Sequence, residues 1–197
     1  MTLAKRKILI LSGHPDASGK GLCHALADAY AAGARASGHT VERIDIAGLD
    51  FGFLRSQAEF ETGKAPAAIA AAQEQIRAAN HLVVIFPLWL GDMPAVLKAF
   101  FEQTLRPGFA FTYRSTGFPI KHLAGRSARI VVTMGMPAFI YRWYFCAHGL
   151  KNLKRNILGF VGFAPVRDTI IGGVGTASRT TMEGCIEAIR ALGGRAL

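Results

Sequence analysis

Short, unbroken apolar runs alternate along this chain with segments in which apolar residues recur every third or fourth position. Ile8–Leu11 and Leu82–Phe86 are continuous apolar runs of the kind that a parallel sheet buries on both faces, and Ala128–Met134, apolar apart from Arg129 and Thr133, reads as a further strand. The first extends to a strand over Lys7–Ser12, and Thr40–Ile46 and Val166–Ile171 read as two more. Helical spacing predicts helices over Gly21–Ser37, Pro66–Asn80, Pro94–Leu105 and Arg179–Leu192. In the first of these, Leu22, Cys23, Leu26, Ala29 and Tyr30 share one side, and Gly38 suits a left-handed cap. The proline at position 94 suits a first helical turn. The aromatic and basic segment Ala138–Leu158 also reads as helical, whereas the stretch holding Arg55, Glu59 and Glu61 reads as a polar loop. Pro107-Gly108 breaks a helix, and the alternation of Phe109–Tyr113 predicts one arm of a hairpin inserted at about residues 106–125. Strand and helix alternate throughout, which predicts a single α/β domain over residues 1–197. Its expected core is a five-stranded parallel sheet of order 2-1-3-4-5 with helices on both faces.

Composition sharpens this picture. Apolar residues make up 51% of the chain and charged residues 18%, which excludes disorder. No apolar run approaches the ~18 residues of a membrane span, so an integral membrane protein is not expected. Lys5-Arg6-Lys7 before Ile8–Leu11 mimics a signal peptide, but the apolar part is too short and runs into Ser12-Gly13-His14-Pro15. Cys23, Cys146 and Cys185 are widely spaced and form no CxxC, which argues for a reducing compartment, the cytoplasm, and against structural zinc. None of the histidines outside the motifs below stands at ligand spacing, so no metal is assigned. The formal net charge is +10, and from Gln103 to Arg167 the chain has no Asp or Glu. A one-signed field of that kind concentrates anions. No recognition helix, zinc finger or RNP-like pattern accompanies it, so a nucleic-acid partner is not expected.

The candidate chemistry lies in loops that follow strands. Ser12–Gly21 opens the first helix with small residues and the donors Ser18 and Lys20, a combination suited to phosphate. It is not a nucleoside-triphosphate loop: five residues separate Gly13 from Gly19, and Gly21 follows Lys20 where a Mg²⁺ ligand is required. Phe86–Pro94 holds Trp89 between two prolines, and Thr133-Met134-Gly135-Met136-Pro137 follows the fourth strand. In the expected strand order, these three loops converge on the carboxyl edge, where open α/β sheets bind ligands. Gly172-Gly173-Val174-Gly175 reads as a turn.

His14-Pro15, the block Phe86-Pro87-Leu88-Trp89 … Met93-Pro94-Ala95 … Leu97-Lys98 … Phe101-Glu102, Gly108-Phe109-Ala110-Phe111 and Thr133-Met134-Gly135 resemble NAD(P)H:quinone oxidoreductases of the DT-diaphorase type. The resemblance implies a flavodoxin-like fold, a bound flavin (FAD, with FMN in some members), NAD(P)H as reductant, a homodimer, and two-electron ping-pong transfer to quinones. It implies that His14 and Ser18 meet the flavin phosphates, and Lys20 and Leu22 beside them are expected to bind the cofactor. Pro87, Leu88, Trp89 and Leu90 would line the ring and ribityl chain, and Thr133, Met134, Gly135 and Met136 would offer backbone N–H groups to the ring's polar edge. The catalytic pair is similar to Tyr141 and His148, whose seven-residue separation would put them on one helical face. A phenol or imidazole there can stabilise charge developing in hydride transfer. A second reading is a regulatory flavoprotein subunit whose basic face docks on a membrane ion-efflux system.

Overall fold

The computed structural model of the protein describes residues 4–197. The main sheet is formed by β1 (Lys7–Ser12), β2 (Thr40–Asp45), β3 (His81–Pro87), β6 (Ser127–Thr133) and β7 (Val166–Ile171), and β4 (Phe111–Thr112) and β5 (Ile120–Lys121) pair separately. The main sheet runs β2-β1-β3-β6-β7, all parallel, which is the expected 2-1-3-4-5 order. The short antiparallel ladder β4–β5 is the inserted hairpin.

Side chains alternate across the central strands because successive residues of a strand point to opposite faces. Leu9, Leu11, Leu82, Val84, Ile130 and Val132 enter one core with α3 (Ala67–Ala78) and α4 (Ala95–Thr104). Ile8, Ile10, Val83, Ile85 and Val131 enter the other, against α1 (Leu22–Ala36) and α8 (Arg179–Arg195). Those two helices touch backbone to backbone: a Cβ at Gly33 would strike the carbonyl of Arg190, and one at Gly193 that of Tyr30.

Two segments differ from expectation. The polar stretch contains a short helix, α2 (Gln57–Thr62), which has no fully buried residue and packs on the core through Phe60 alone. Its N-terminus is capped by side chains: Ser56 Oγ accepts from the Glu59 amide, and the Glu59 carboxylate accepts from the amide of Arg55, the residue before the cap. The segment Ala138–Leu158 is not one helix. α5 (Ala138–Trp143) ends, and Cys146 and Ala147 take φ of 52° and 48°. α6 (His148–Lys151) then starts in a new direction and continues through an i→i+5 stretch, Asn152–Leu158, into α7 (Gly159–Val161). Consecutive left-handed residues end an α-helix whatever its propensity. Among the described residues, no helix is long and apolar enough to cross a membrane.

Candidate functional site

β1, β3 and β6 end side by side, and the loops that follow them meet at the carboxyl edge of the sheet. The loop after β1 is pulled against β3 by a hydrogen bond from the Gly13 amide to the Ile85 carbonyl at 2.7 Å. A Cβ at Gly13 would lie 2.6 Å from Leu97 Cδ2 and 3.0 Å from Phe86 Cβ, so a larger residue there would displace Leu97. His14 Nδ1 accepts from the Asp16 amide at 3.1 Å, which leaves the proton of the neutral ring on Nε2 as a donor. Partial burial, reinforced by nearby His24, holds the His14 pKa below the usual histidine value and keeps that ring neutral. Ser18 differs from expectation: its hydroxyl donates to the Asp16 carboxylate at 2.6 Å. Sequence reasoning missed Asp16, whose acidic side chain organises the loop; the legible signal was an Asx turn at Asp-x-Ser. The Lys20 amide donates to Ser18 Oγ, and Gly21 begins α1 at φ 121° with no side-chain cap. The first amides of α1, from Leu22 onward, therefore face the edge with no acidic residue in the first turn. A recess of about 180 Å³ opens beside this loop, lined by His14, Asp16, Gly19, His24, Arg43 and Asp45. His24 Nδ1 and Ser12 Oγ are buried without partners.

The loop after β3 is a tight turn. Trp89 and Asp92 exchange amide-to-carbonyl bonds of 2.9 and 3.0 Å, and Leu90 and Gly91 between them have φ of 48° and 83°. Positive φ at both central residues is the type I′ pattern, for which Leu90 is a strained choice. Leu90 is also fully exposed. Trp89 is half exposed, with its ring edge against His14 at 6.4 Å between centroids. Pro87 and Leu88 are partly buried behind it, and the Leu88 amide donates to the Thr133 carbonyl at 2.8 Å.

The loop after β6 is anchored from both sides. Thr133 is buried, with its Oγ1 3.2 Å from Cys23 Sγ in the first turn of α1. The Met134 amide donates to the Ile171 carbonyl, so it is not free to meet a ligand, contrary to expectation. The amides of Gly135 and Met136 have no acceptor among the described residues. Behind them, the Gly173 amide donates to the Met136 carbonyl and the Val174 amide to that of Met134. A Cβ at Gly172 would strike the Ala138 amide, so the late glycine cluster is a buttress of this loop.

Tyr141 and His148 stand on separate helices because of the break at Cys146-Ala147, so seven-residue spacing does not align them. Tyr141 is 1% exposed, and its phenol is engaged twice: it donates to the Gly91 carbonyl at 3.4 Å and accepts from the Leu150 amide at 3.2 Å. It caps α6 and ties that helix to the Trp89 turn. Burial pushes its pKa up, with the Leu150 amide opposing, so the group is a neutral donor near neutrality. Gly149 completes the contact: a Cβ there would lie 2.5 Å from the Gly91 carbonyl. His148 is exposed at the start of α6, and its ring has no hydrogen-bond partner among the described residues.

The acid-free segment is less open to anions than its sequence implies. Arg106 and Arg126 donate to backbone carbonyls of the α2 and α3 ends, and Arg129 to that of Leu197. Lys121 bonds the Gly159 carbonyl, and Arg142 and Lys154 pair with Asp168.

Residues 6–192 match the family described as having the flavodoxin-like fold. The chain belongs to that family. Within this flavodoxin-like family it is 28% identical over 127 residues to a NAD(P)H dehydrogenase [quinone] 1 of Rattus norvegicus, covering 62% of this chain and 46% of the rat protein. It is 29% identical over 137 residues to an FMN-dependent NADH:quinone oxidoreductase of Nitratidesulfovibrio vulgaris, covering 63% of this chain and 61% of that one. The chain thus spans about half to three-fifths of these curated relatives. Among solved structures, it superposes on an NAD(P)H:quinone oxidoreductase from Methanothermobacter marburgensis with a TM-score of 0.79 and 28% identity, over 97% of this chain and 96% of that one.

Proposed function

We propose that this protein is a flavin-dependent NAD(P)H oxidoreductase that passes two electrons to quinone-like acceptors in the cytoplasm. The observation that carries the reading is the convergence of an uncapped helix terminus, a half-exposed tryptophan and two free amides on one edge. The N–H groups that begin α1, with His14 Nε2–H and Lys20, suit the phosphate of a flavin. Ser18 joins them when its hydroxyl turns from Asp16. Pro87, Leu88, Trp89 and Leu90 form the apolar wall for ring and ribityl chain. Gly135 and Met136 offer amides to the ring's polar edge, with Thr133 and Met134 fixing their position. The recess beside the phosphate loop gives room beyond one phosphate, which supports FAD; the printed names of bacterial relatives support FMN.

A bound flavin supplies the hydride relay between NAD(P)H and acceptor. Around it, the chain's residues position and exclude water. Tyr141 acts through the Gly91 turn as a positioning residue, and His148 faces solvent as the group available to donate a proton to an acceptor. Exposed Phe139, Trp143 and Tyr144 on and after α5, together with the strained Leu90, form apolar surface that a second copy would cover, which supports a homodimer. The docking role on a membrane system gains nothing from the site, because most of the cations it would use are tied to carbonyls and Asp168.

Purified protein is expected to be yellow and to release one flavin whose mass decides FAD or FMN. Trp89→Ala should weaken flavin binding about tenfold or more, ~1.4 kcal/mol, while the melting temperature of the flavin-free protein barely moves, since Trp89 is half exposed. A colourless protein that takes up neither flavin refutes the proposal.

A further inference from the structure

Between the inserted hairpin and the i→i+5 stretch lies an open cleft of about 620 Å³, lined by Phe118, Pro119, Lys121, Arg155, Asn156 and Phe160. It shares no residue with the recess beside the phosphate loop or with the Trp89 turn. Its size falls within the range of small-molecule clefts, roughly 300–1,000 Å³.

Aromatic surface and uncompensated positive charge meet in this cleft. Phe118, in the connection between β4 and β5, is 92% exposed, and with Phe160 it forms the aromatic wall. A phenylalanine left in water forfeits the burial that its side chain ordinarily gains. Phe160 is held from behind by Phe111, edge to face at 4.9 Å between centroids. Lys121 Nζ donates to the Gly159 carbonyl at 2.9 Å, which fixes the ammonium in the wall with further N–H groups to offer. Arg155 is exposed and has no ion pair among the described residues. No carboxylate lines the cleft, and between Gln103 and Arg167 the chain has none to place there. In the neighbouring crevice, Glu102 is already paired with Lys98.

The backbone that carries Arg155 and Asn156 is a rare form. Asn152–Leu158 is wound with i→i+5 bonds and closes with the Gly159 amide on the Lys154 carbonyl. Such turns concentrate at functional sites. Asn156 adds a side-chain amide, able both to donate and to accept.

We propose that this cleft binds a nucleoside monophosphate, with the base stacked on Phe118 and Phe160 and the phosphate on Arg155 and Lys121. Stacking suits a base because every base has a π-face. The planar fork of arginine matches two phosphate oxygens, and the lysine adds a point charge. The Asn156 amide is placed to meet a polar base edge. Inorganic phosphate would leave the aromatic wall in water, and a neutral nucleoside would leave the cations without counter-charge, so both halves of the ligand are needed.

Backbone amide NMR of the protein as purified tests this with AMP as the probe. AMP should shift the amides of Phe118, Lys121, Arg155 and Gly159 saturably. Adenosine and inorganic phosphate, each at matched ionic strength, should bind about tenfold or more weakly than AMP. Arg155→Gln and Phe118→Ser, at exposed positions, should keep the wild-type melting temperature and flavin content and weaken AMP about tenfold or more. The proposal is overturned by the absence of a saturable shift, by shifts confined to the carboxyl edge around His14 and Trp89, or by an Arg155→Gln titration equal to wild type. Adenosine binding as tightly as AMP overturns it as well. A colourless protein that shows the AMP shifts refutes the flavin reading alone.

Discussion

Replacing Tyr141 by phenylalanine separates a hydroxyl that positions the site from one that acts on the reacting atoms. The substitution keeps the ring in the core and removes one oxygen. The Leu150 amide, in the first turn of a helix with no side-chain cap at Ala147, then loses its only acceptor, and the Gly91 carbonyl loses its donor. Leaving a buried amide unsatisfied costs about 1–3 kcal/mol, and the long 3.4 Å bond to Gly91 adds least. At about 2 kcal/mol, and roughly 2–4 °C per kcal/mol for a chain of this size, the flavin-free protein should melt about 4–8 °C lower. Flavin affinity should fall as well, because the Trp89 turn is no longer tied to α6, while kcat per bound flavin should change little. Calorimetry of the flavin-free protein, flavin fluorescence titration and single-turnover reduction measure these separately. An unchanged melting temperature with a loss of about a hundredfold or more in kcat on fully loaded protein would refute the positioning role, since that is the signature of a donor at the transition state.

Arg126→Gln should lower stability by about 1–2 kcal/mol through the carbonyls of Arg77 and Ala79. It should leave the KM for NADPH unchanged, as steady-state kinetics would show. Acidification should destabilise the fold, because burial, reinforced by Arg6 and Arg129, pushes the His81 pKa down to about 3. Above the ordinary histidine value both folded and unfolded chains hold His81 neutral; below it the unfolded chain takes up a proton that the folded chain refuses until about pH 3, so stability falls with pH through that window. The slope from this one group is at most about 1.4 kcal/mol per pH unit, and denaturant titrations of wild type against His81→Gln should show the variant with the shallower acid limb. Asp168 acts in the same direction at lower pH: although burial opposes it, its bonds to Lys154 and Arg142 hold its pKa down, and that stability disappears as the carboxylate protonates.

The strand order was legible because runs such as Leu82–Phe86 can only be buried on both faces, and the convergence of three loops follows from that order. The short helix capped by Ser56 reads as a polar loop, because it packs a single apolar side chain, Phe60, on the core and so shows no helical period. The break at Cys146-Ala147 was not legible. Neither residue is a glycine or proline, and the left-handed turn accompanies a distant contact, that of Gly149 in α6 with the Gly91 carbonyl. For the same reason the engagement of Tyr141 could not be read: its partners are backbone groups on two other elements. The basic segment misled because a guanidinium that caps a buried carbonyl and one that faces solvent look the same in a sequence.

The contact of Gly149 with the Gly91 carbonyl bears on protein engineering. The Trp89 turn is held by a helix that begins 59 positions after Trp89 in the chain, so the turn is not a portable cassette. Grafted onto another parallel α/β scaffold without the start of α6, it would keep its residues and lose its form. A transplant would have to carry both segments, with glycine retained at the point where they touch.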